Sequence, residues 1–300
     1  MGKIAFVFSG QGAQYSGMGK ELYEASAAAK AVYDMADSIR PGTSKMCFEG
    51  SAEELNRTIN TQPCVFTADL AAARALEEKG IKPDCIAGFS LGEIAALAFS
   101  GILTDEEAFR LVCERGELMD KAARENPGAM AAVMKIPPEA VEEICERFGD
   151  TYPVNYNSPA QTVVATTDEH AEAFCEAVKE AGGRAKLLAV SGAFHSPFMA
   201  SAAEGLAEYM KGVGFGQPGI EIYSDVTAKP YEGDFKALVR AQVESPVRWQ
   251  SIVENMIESG VDTFIEVGVG KTLTGLIKRI NADVKAFKTE TPSDMEALEI

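Results

Sequence analysis

Short, wholly apolar runs alternate along the chain with longer stretches in which apolar residues return every three or four positions, the pattern of buried strands between amphipathic helices. Ile4-Ala5-Phe6-Val7-Phe8 predicts a buried strand ending in the turn Ser9-Gly10-Gln11-Gly12-Ala13-Gln14. Helical periodicity follows over 19–38 and 62–79, the second closed by Gly80 and Pro83. Cys85-Ile86-Ala87 predicts a short strand that runs through Gly88-Phe89-Ser90-Leu91-Gly92-Glu93 into an alanine-rich helix reaching about Phe99. Thr104-Asp105-Glu106-Glu107 has the form of a capping box and opens a helix to about Arg124. Alternation of this kind predicts an α/β fold.

The texture changes at Asn126-Pro127-Gly128. A strand over 129–136, a helix from Pro137-Pro138 to Gly149, strands over 152–157 and 161–166, a helix over 168–181 and a strand over 184–190 spell βαββαβ, a ferredoxin-like order. The expected organisation is therefore a small subdomain, 126–192, inserted into a larger one formed by 1–125 and 193–300. The larger one resumes with a helix from about 197, strands near 220–226 and 261–267, and helices over 234–243, 247–259 and 272–280.

Composition narrows the possible functions. The 300 residues are 46% hydrophobic and 24% charged, as in a soluble globular protein. Against 45 Asp and Glu stand 28 Lys and Arg, a net charge of -17 that argues against a broad footprint on nucleic acid or anionic lipid. No stretch approaches the roughly 20 apolar residues of a membrane span, and the first apolar run is too short for an export signal, so a cytoplasmic location is expected. Six scattered cysteines without a Cys-x-x-Cys pair read as reduced thiols, with no disulfide framework or zinc site.

Gly88-x-Ser90-x-Gly92, between a strand and a helix, has the context of a nucleophile elbow, with Ser90 thrust out at a helix N-terminus beside backbone N–H groups. A serine nucleophile needs a base, and the chain has 2 histidines. His170 sits in the acidic first turn of a predicted surface helix, whereas His195 follows a buried strand and precedes a helix, making it the better base. Arg115 is flanked at helical spacing by Leu111, Val112, Leu118 and Met119 and so points inward. A buried guanidinium requires a carboxylate or phosphate, either an internal acid or a substrate group. Gly268-Val269-Gly270-Lys271-Thr272 imitates the end of a P-loop, but position 265 is Ile265 where the motif needs glycine.

Taken together, these segments resemble the malonyl-CoA:acyl carrier protein transacylases of fatty acid synthesis. The likeness runs over essentially the whole chain through Phe8–Gln14, Thr61-Gln62-Pro63, Gly88–Glu93, Glu114-Arg115-Gly116, Asn155–Pro159, Gly192–Ser196, Pro246–Trp249 and Glu266–Lys271. It implies a hydrolase-like α/β subdomain with a parallel sheet carrying the ferredoxin-like insert. It also implies Ser90 as nucleophile, His195 as base, the N–H groups of Gln11 and Leu91 as oxyanion hole, and the main-chain carbonyl of Gln242 orienting the histidine. Arg115 would bind the malonyl carboxylate, with Gln62, Phe194 and Asn157 as further substrate contacts. The implied partners are malonyl-CoA and acyl carrier protein, with no metal or other cofactor and a monomeric enzyme. Phe194 fits the malonyl pattern by crowding out an α-methyl group, while Phe89 and Ser9 depart from the His and Pro common in the family. A related malonyl transferase of a polyketide or malonate decarboxylase system, or a serine esterase or thioesterase, would share much of this set.

The implied partners share the protein's own sign of charge, so docking requires local positive charge. Lys271, Lys278, Arg279, Lys285 and Lys288 against Asp283 give 271–288 a net of +4, which predicts a basic strip near the cleft, extended by Arg184 and Lys186.

Overall fold

A computed structural model describes residues 2–190 and 192–299; Ser191, in the segment leading to His195, lies outside them. Its strands are β1 (Lys3–Phe8), β2 (Cys85–Gly88), β3 (Ala129–Met134), β4 (Tyr152–Ser158), β5 (Gln161–Thr166), β6 (Arg184–Leu187), β7 (Glu221–Tyr223), β8 (Val261–Val267) and β9 (Lys285–Thr289). Five form a parallel sheet in the order β7-β2-β1-β8-β9. Because β1 is its middle strand, alternate residues serve two cores. Phe6 and Phe8 pack on Phe99 with ring centroids 5.8 and 5.9 Å away, while Ala5 and Val7 join the cluster around Trp249 and Phe264. Burying each such aromatic ring contributes about 1.5–3 kcal/mol.

The remaining strands form an antiparallel sheet in the order β4-β5-β3-β6, the ferredoxin-like topology. The same period of two operates here. Ala131 and Val133 face the helices Pro138–Cys145 and Asp168–Glu180, whereas Met130 and Ala132 face the cleft toward the parallel sheet. One sheet thus supplies the elbow and the other supplies the opposing wall.

Several elements differ from the periodicity. The helix expected over 19–38 is two, Lys20–Ala25 and Ala27–Ile39, because Ser26 is extended and caps the second through the Ala29 N–H. The helix expected from 62 begins at Thr58 and contains Pro63. The Ile59 carbonyl that Pro63 cannot satisfy accepts from Arg40 at 3.4 Å. Strand β6 stops at Leu187; after one further bond from Leu188 to the Met130 carbonyl, 188–190 turn to line the cleft. The helices Thr43–Glu49 and Ala52–Leu55, the edge strand β9 and the helix Pro292–Glu296 lie in segments without a clear apolar period.

Candidate active site

Ser90 joins β2 to the helix Leu91–Ser100 with φ 56° and ψ -108°. The flanking glycines are steric requirements. A β-carbon on Gly88 would overlap the backbone of Gly92 and Glu93, and one on Gly92 would overlap the carbonyls of Phe8 and Ser9. A serine in this conformation carries about 1–3 kcal/mol of strain, so its surroundings must hold it. They do: its N–H donates to Asp225 Oδ2 at 2.8 Å, and its carbonyl accepts from Gln242 Nε2 at 2.6 Å.

His195 also has a positive φ, 60°, and is buried. Its Nδ1 lies 2.9 Å from the Gln242 carbonyl oxygen and its Nε2 lies 2.7 Å from Ser90 Oγ. Only a protonated Nδ1 can pair with a carbonyl, so Nε2 is the free acceptor for the serine proton. Burial, and then the charge of Arg115, push His195 down to about 4, leaving the imidazole neutral near physiological pH.

Arg115 is 1% exposed, inside the fold as its apolar flanks require. Among the described residues it makes no ion pair. One terminal nitrogen donates to Gln62 Oε1 at 2.8 Å, and the other donates to Gln242 Oε1 at 2.8 Å and Ser90 Oγ at 3.3 Å. Its Nε is buried without an acceptor. Burial lowers it to about 10, against the raising effect of Glu93 and Asp225, so it remains a cation at neutral pH. Two neutral amides hold the guanidinium directly, and among the described residues no carboxylate is bonded to it, which leaves a site prepared for an anion.

Ser90, His195, Arg115, Gln62 and Gln242 therefore form one connected set. Gln11, Phe194 and Asn157 line the same cleft, about 390 Å³ in volume. Asn157 donates to Gln161 at 3.3 Å, leaving its buried Oδ1 unpaired. Among the described residues, neither the Gln11 nor the Leu91 N–H donates to a protein acceptor. The Gln11 loop is anchored by Ser9, whose hydroxyl donates to the buried Asp69 at 3.0 Å; the same carboxyl accepts the Val269 N–H at 3.0 Å. Phe89 stacks edge-on against Trp249 at 5.6 Å. His170 is elsewhere, with Nδ1 2.9 Å from the Gly149 carbonyl.

The P-loop look-alike has a definite structural use. Glu266 accepts the N–H groups of Leu273 and Thr274 at 3.0 and 2.7 Å, so a carboxylate fills the helix N-terminus where a phosphate would sit. Sequence reading missed Glu93, Asp225 and Tyr231, which lie behind the elbow. The one available signal was Glu93, a lone acid on an otherwise apolar helix. Among the described residues no group of three or more His, Cys, Asp or Glu could hold a metal ion, and no helix is long and apolar enough to cross a membrane.

A serine on a strained strand-to-helix turn, bonded to a neutral histidine at the foot of a cleft, defines a serine acyl-transfer enzyme on an α/β fold. The chain belongs to the acyl transferase domain family, which matches residues 5–291. It is 40% identical to the malonyl CoA-acyl carrier protein transacylase of Bacillus subtilis (strain 168), over 99% of this chain and 96% of that one. The enzyme of the same name from Escherichia coli (strain K12) is 38% identical over 99% of both chains. The crystal structure of malonyl CoA-acyl carrier protein transacylase from Clostridium perfringens superposes with a TM-score of 0.95 at 38% identity, covering 98% of this chain and 95% of that one. A type II PKS acyl-carrier protein in complex with its malonyl-transacylase contains a chain with TM-score 0.94 and 35% identity, covering 98% of both chains.

Proposed function

We propose that this enzyme moves a malonyl group from CoA to the phosphopantetheine thiol of acyl carrier protein through a malonyl-Ser90 ester, supplying fatty acid elongation. The observation that carries this reading is the buried Arg115 guanidinium, held by two amides and 3.3 Å from the nucleophilic oxygen. An esterase for uncharged acyl groups has no use for that cation.

In the first half-reaction His195 Nε2 takes the Ser90 proton as Oγ attacks the thioester carbonyl. The N–H groups of Gln11 and Leu91 hold the oxyanion. As the C–S bond breaks, the imidazolium returns its proton to sulfur and CoA leaves. The carrier thiol then gives its proton to His195 and attacks the ester, and Ser90 leaves with that proton. A neutral carbonyl, rather than a carboxylate, supports His195, which departs from the Ser-His-Asp arrangement. Arg115 fixes the malonyl carboxylate, Gln62 fixes Arg115, and Asn157 offers its unpaired Oδ1 to an N–H of the bound arm. Phe194, beside His195, limits space at the malonyl α-carbon. Competition of malonyl-, methylmalonyl- and acetyl-CoA for the enzyme, chased with carrier protein, tests the assignment. Malonyl label should dominate, and preferential acetyl labelling would overturn it.

The low His195 value sets a pH dependence. The free enzyme needs the imidazole neutral, so kcat/KM for malonyl-CoA should stay level as pH falls through the ordinary histidine range and drop only toward about 4. A midpoint at the ordinary histidine value would show that His195 is not held as described.

Thr272, Leu273 and Leu276 line the cleft, which puts Lys271 at its edge. Two members of the basic strip are otherwise engaged, Lys288 with Asp294 at 3.1 Å and Lys278 with the carbonyls of Ala282 and Val284. Lys271→Glu should therefore raise the KM for carrier protein several-fold at low salt, and the difference should shrink as salt rises. An unchanged KM would make Lys271 only a solvated charge.

A further inference from the structure

Behind the elbow, two buried acids converge on Gln242. Glu93 Oε2 and Asp225 Oδ2 lie 2.6 and 3.1 Å from its Nε2, so both carboxyl groups meet at one amide nitrogen, and Glu93 Oε1 also accepts the Asp225 N–H at 3.1 Å. Both residues are at most 1% exposed. Two adjacent carboxyl groups in such a site cannot both ionise. One of them therefore holds a proton, and the donors around them decide which.

Glu93 receives three donors: the Tyr231 hydroxyl at 2.7 Å, the Asp225 N–H at 3.1 Å and Gln242 Nε2 at 2.6 Å. Asp225 Oδ2 receives the Ser90 N–H at 2.8 Å, and the Gln242 amide reaches it only as the longest of three contacts. Asp225 Oδ1 is buried and receives nothing. Donors stabilise the ionised form, so Glu93 is the carboxylate and Asp225 the acid.

We infer that Asp225 is a neutral carboxylic acid that donates its proton to Glu93, and that this singly charged pair is the positioning element fixing the Ser90 elbow and the Arg115 clamp. Through it, one acid oxygen holds the Ser90 N–H, while the Gln242 amide ties Glu93 to the Ser90 carbonyl. The other end of that amide holds Arg115 at 2.8 Å. The titratable groups facing the pair are Arg115 from the helix Asp105–Glu125 and Tyr231 after β7; His195 completes the network through the Gln242 carbonyl. One negative charge then faces the one guanidinium, and Arg115 keeps its capacity for a substrate carboxylate. Burial first, and then the Glu93 charge, push Asp225 well above the usual carboxylate range, in the same direction as the donor count.

The substitution Asp225→Asn would reproduce the neutral acid, with an oxygen for the Ser90 N–H and an N–H for Glu93. The direct test is difference infrared spectroscopy of the intact enzyme at neutral pH. Wild type should show the carbonyl band of a protonated carboxylic acid that Asp225→Asn removes. A spectrum unchanged by Asp225→Asn overturns the assignment. Stability gives a second readout. Between the ordinary carboxylate range and its raised folded value, native Asp225 keeps a proton that the unfolded chain has lost, so stability declines as pH rises. Asp225→Asn should abolish that part of the decline in Tm, and a steeper decline in the variant would contradict the inference. In turnover, Asp225→Ala should lower kcat by about tenfold or more with little change in KM, and Asp225→Asn should restore most of it. Equal losses in both variants would overturn the positioning role. The turnover comparison rests on Ser90 as nucleophile, whereas the infrared and Tm measurements do not, so failure of that reading and failure of this one are distinguishable. Should Asp225→Ala not fold, the Asn variant decides by those two measurements.

Discussion

Ser90→Ala should reduce malonyl transfer by about 10⁴-fold or more while the protein remains folded and cleft binding of CoA persists. The size of the effect follows from the mechanism. Without Oγ there is no covalent intermediate, and His195, 2.7 Å from that oxygen, has no proton to move. Alanine fits the site, because the strain belongs to the backbone and both backbone polar groups of residue 90 keep their partners, Asp225 and Gln242. The check is the steady-state rate together with a thermal melt. A folded variant retaining more than a few per cent of the rate would mean that transfer bypasses the serine.

Arg115→Ala should cost malonyl-CoA about 10²–10³-fold in kcat/KM and cost acetyl-CoA far less. Truncation also leaves Gln62 Oε1 and Gln242 Oε1 without their donor and removes a contact to Ser90 Oγ, so some loss common to both substrates is expected. The ratio of the two substrates cancels that shared loss. A carboxylate clamp predicts a large shift of the ratio toward acetyl, and equal losses on both would make Arg115 a structural residue only.

How much of this was readable beforehand depends on where each residue's signal lies. Ser90, His195 and Arg115 each break a local pattern: a serine between glycines, one of only 2 histidines, a cation on an apolar helix face. The α/β alternation and the βαββαβ order were legible because buried strands and amphipathic helices have different periods, whereas the parallel sheet was implied only by the family resemblance. Asp225 and Gln242 were not legible as partners of the elbow. They reach Ser90 from 135 and 152 residues away, and the strand that delivers Asp225 is only three residues long. Nor does a sequence pattern join Ser9 to Asp69, a contact made between a strand end and the middle of a helix. Strand β9 escaped for a different reason. It is an edge strand whose lysines read as surface charge, and one of them, Lys288, is in fact paired with Asp294.

The acyl-serine intermediate is the central claim, and intact mass measurement of the enzyme after brief exposure to malonyl-CoA tests it most directly. The predicted result is a gain of one malonyl group on wild type, lost on addition of carrier protein bearing its phosphopantetheine thiol, and no gain on Ser90→Ala. An adduct that survives Ser90→Ala, or transfer to carrier protein with no adduct on wild type at any time, would contradict it.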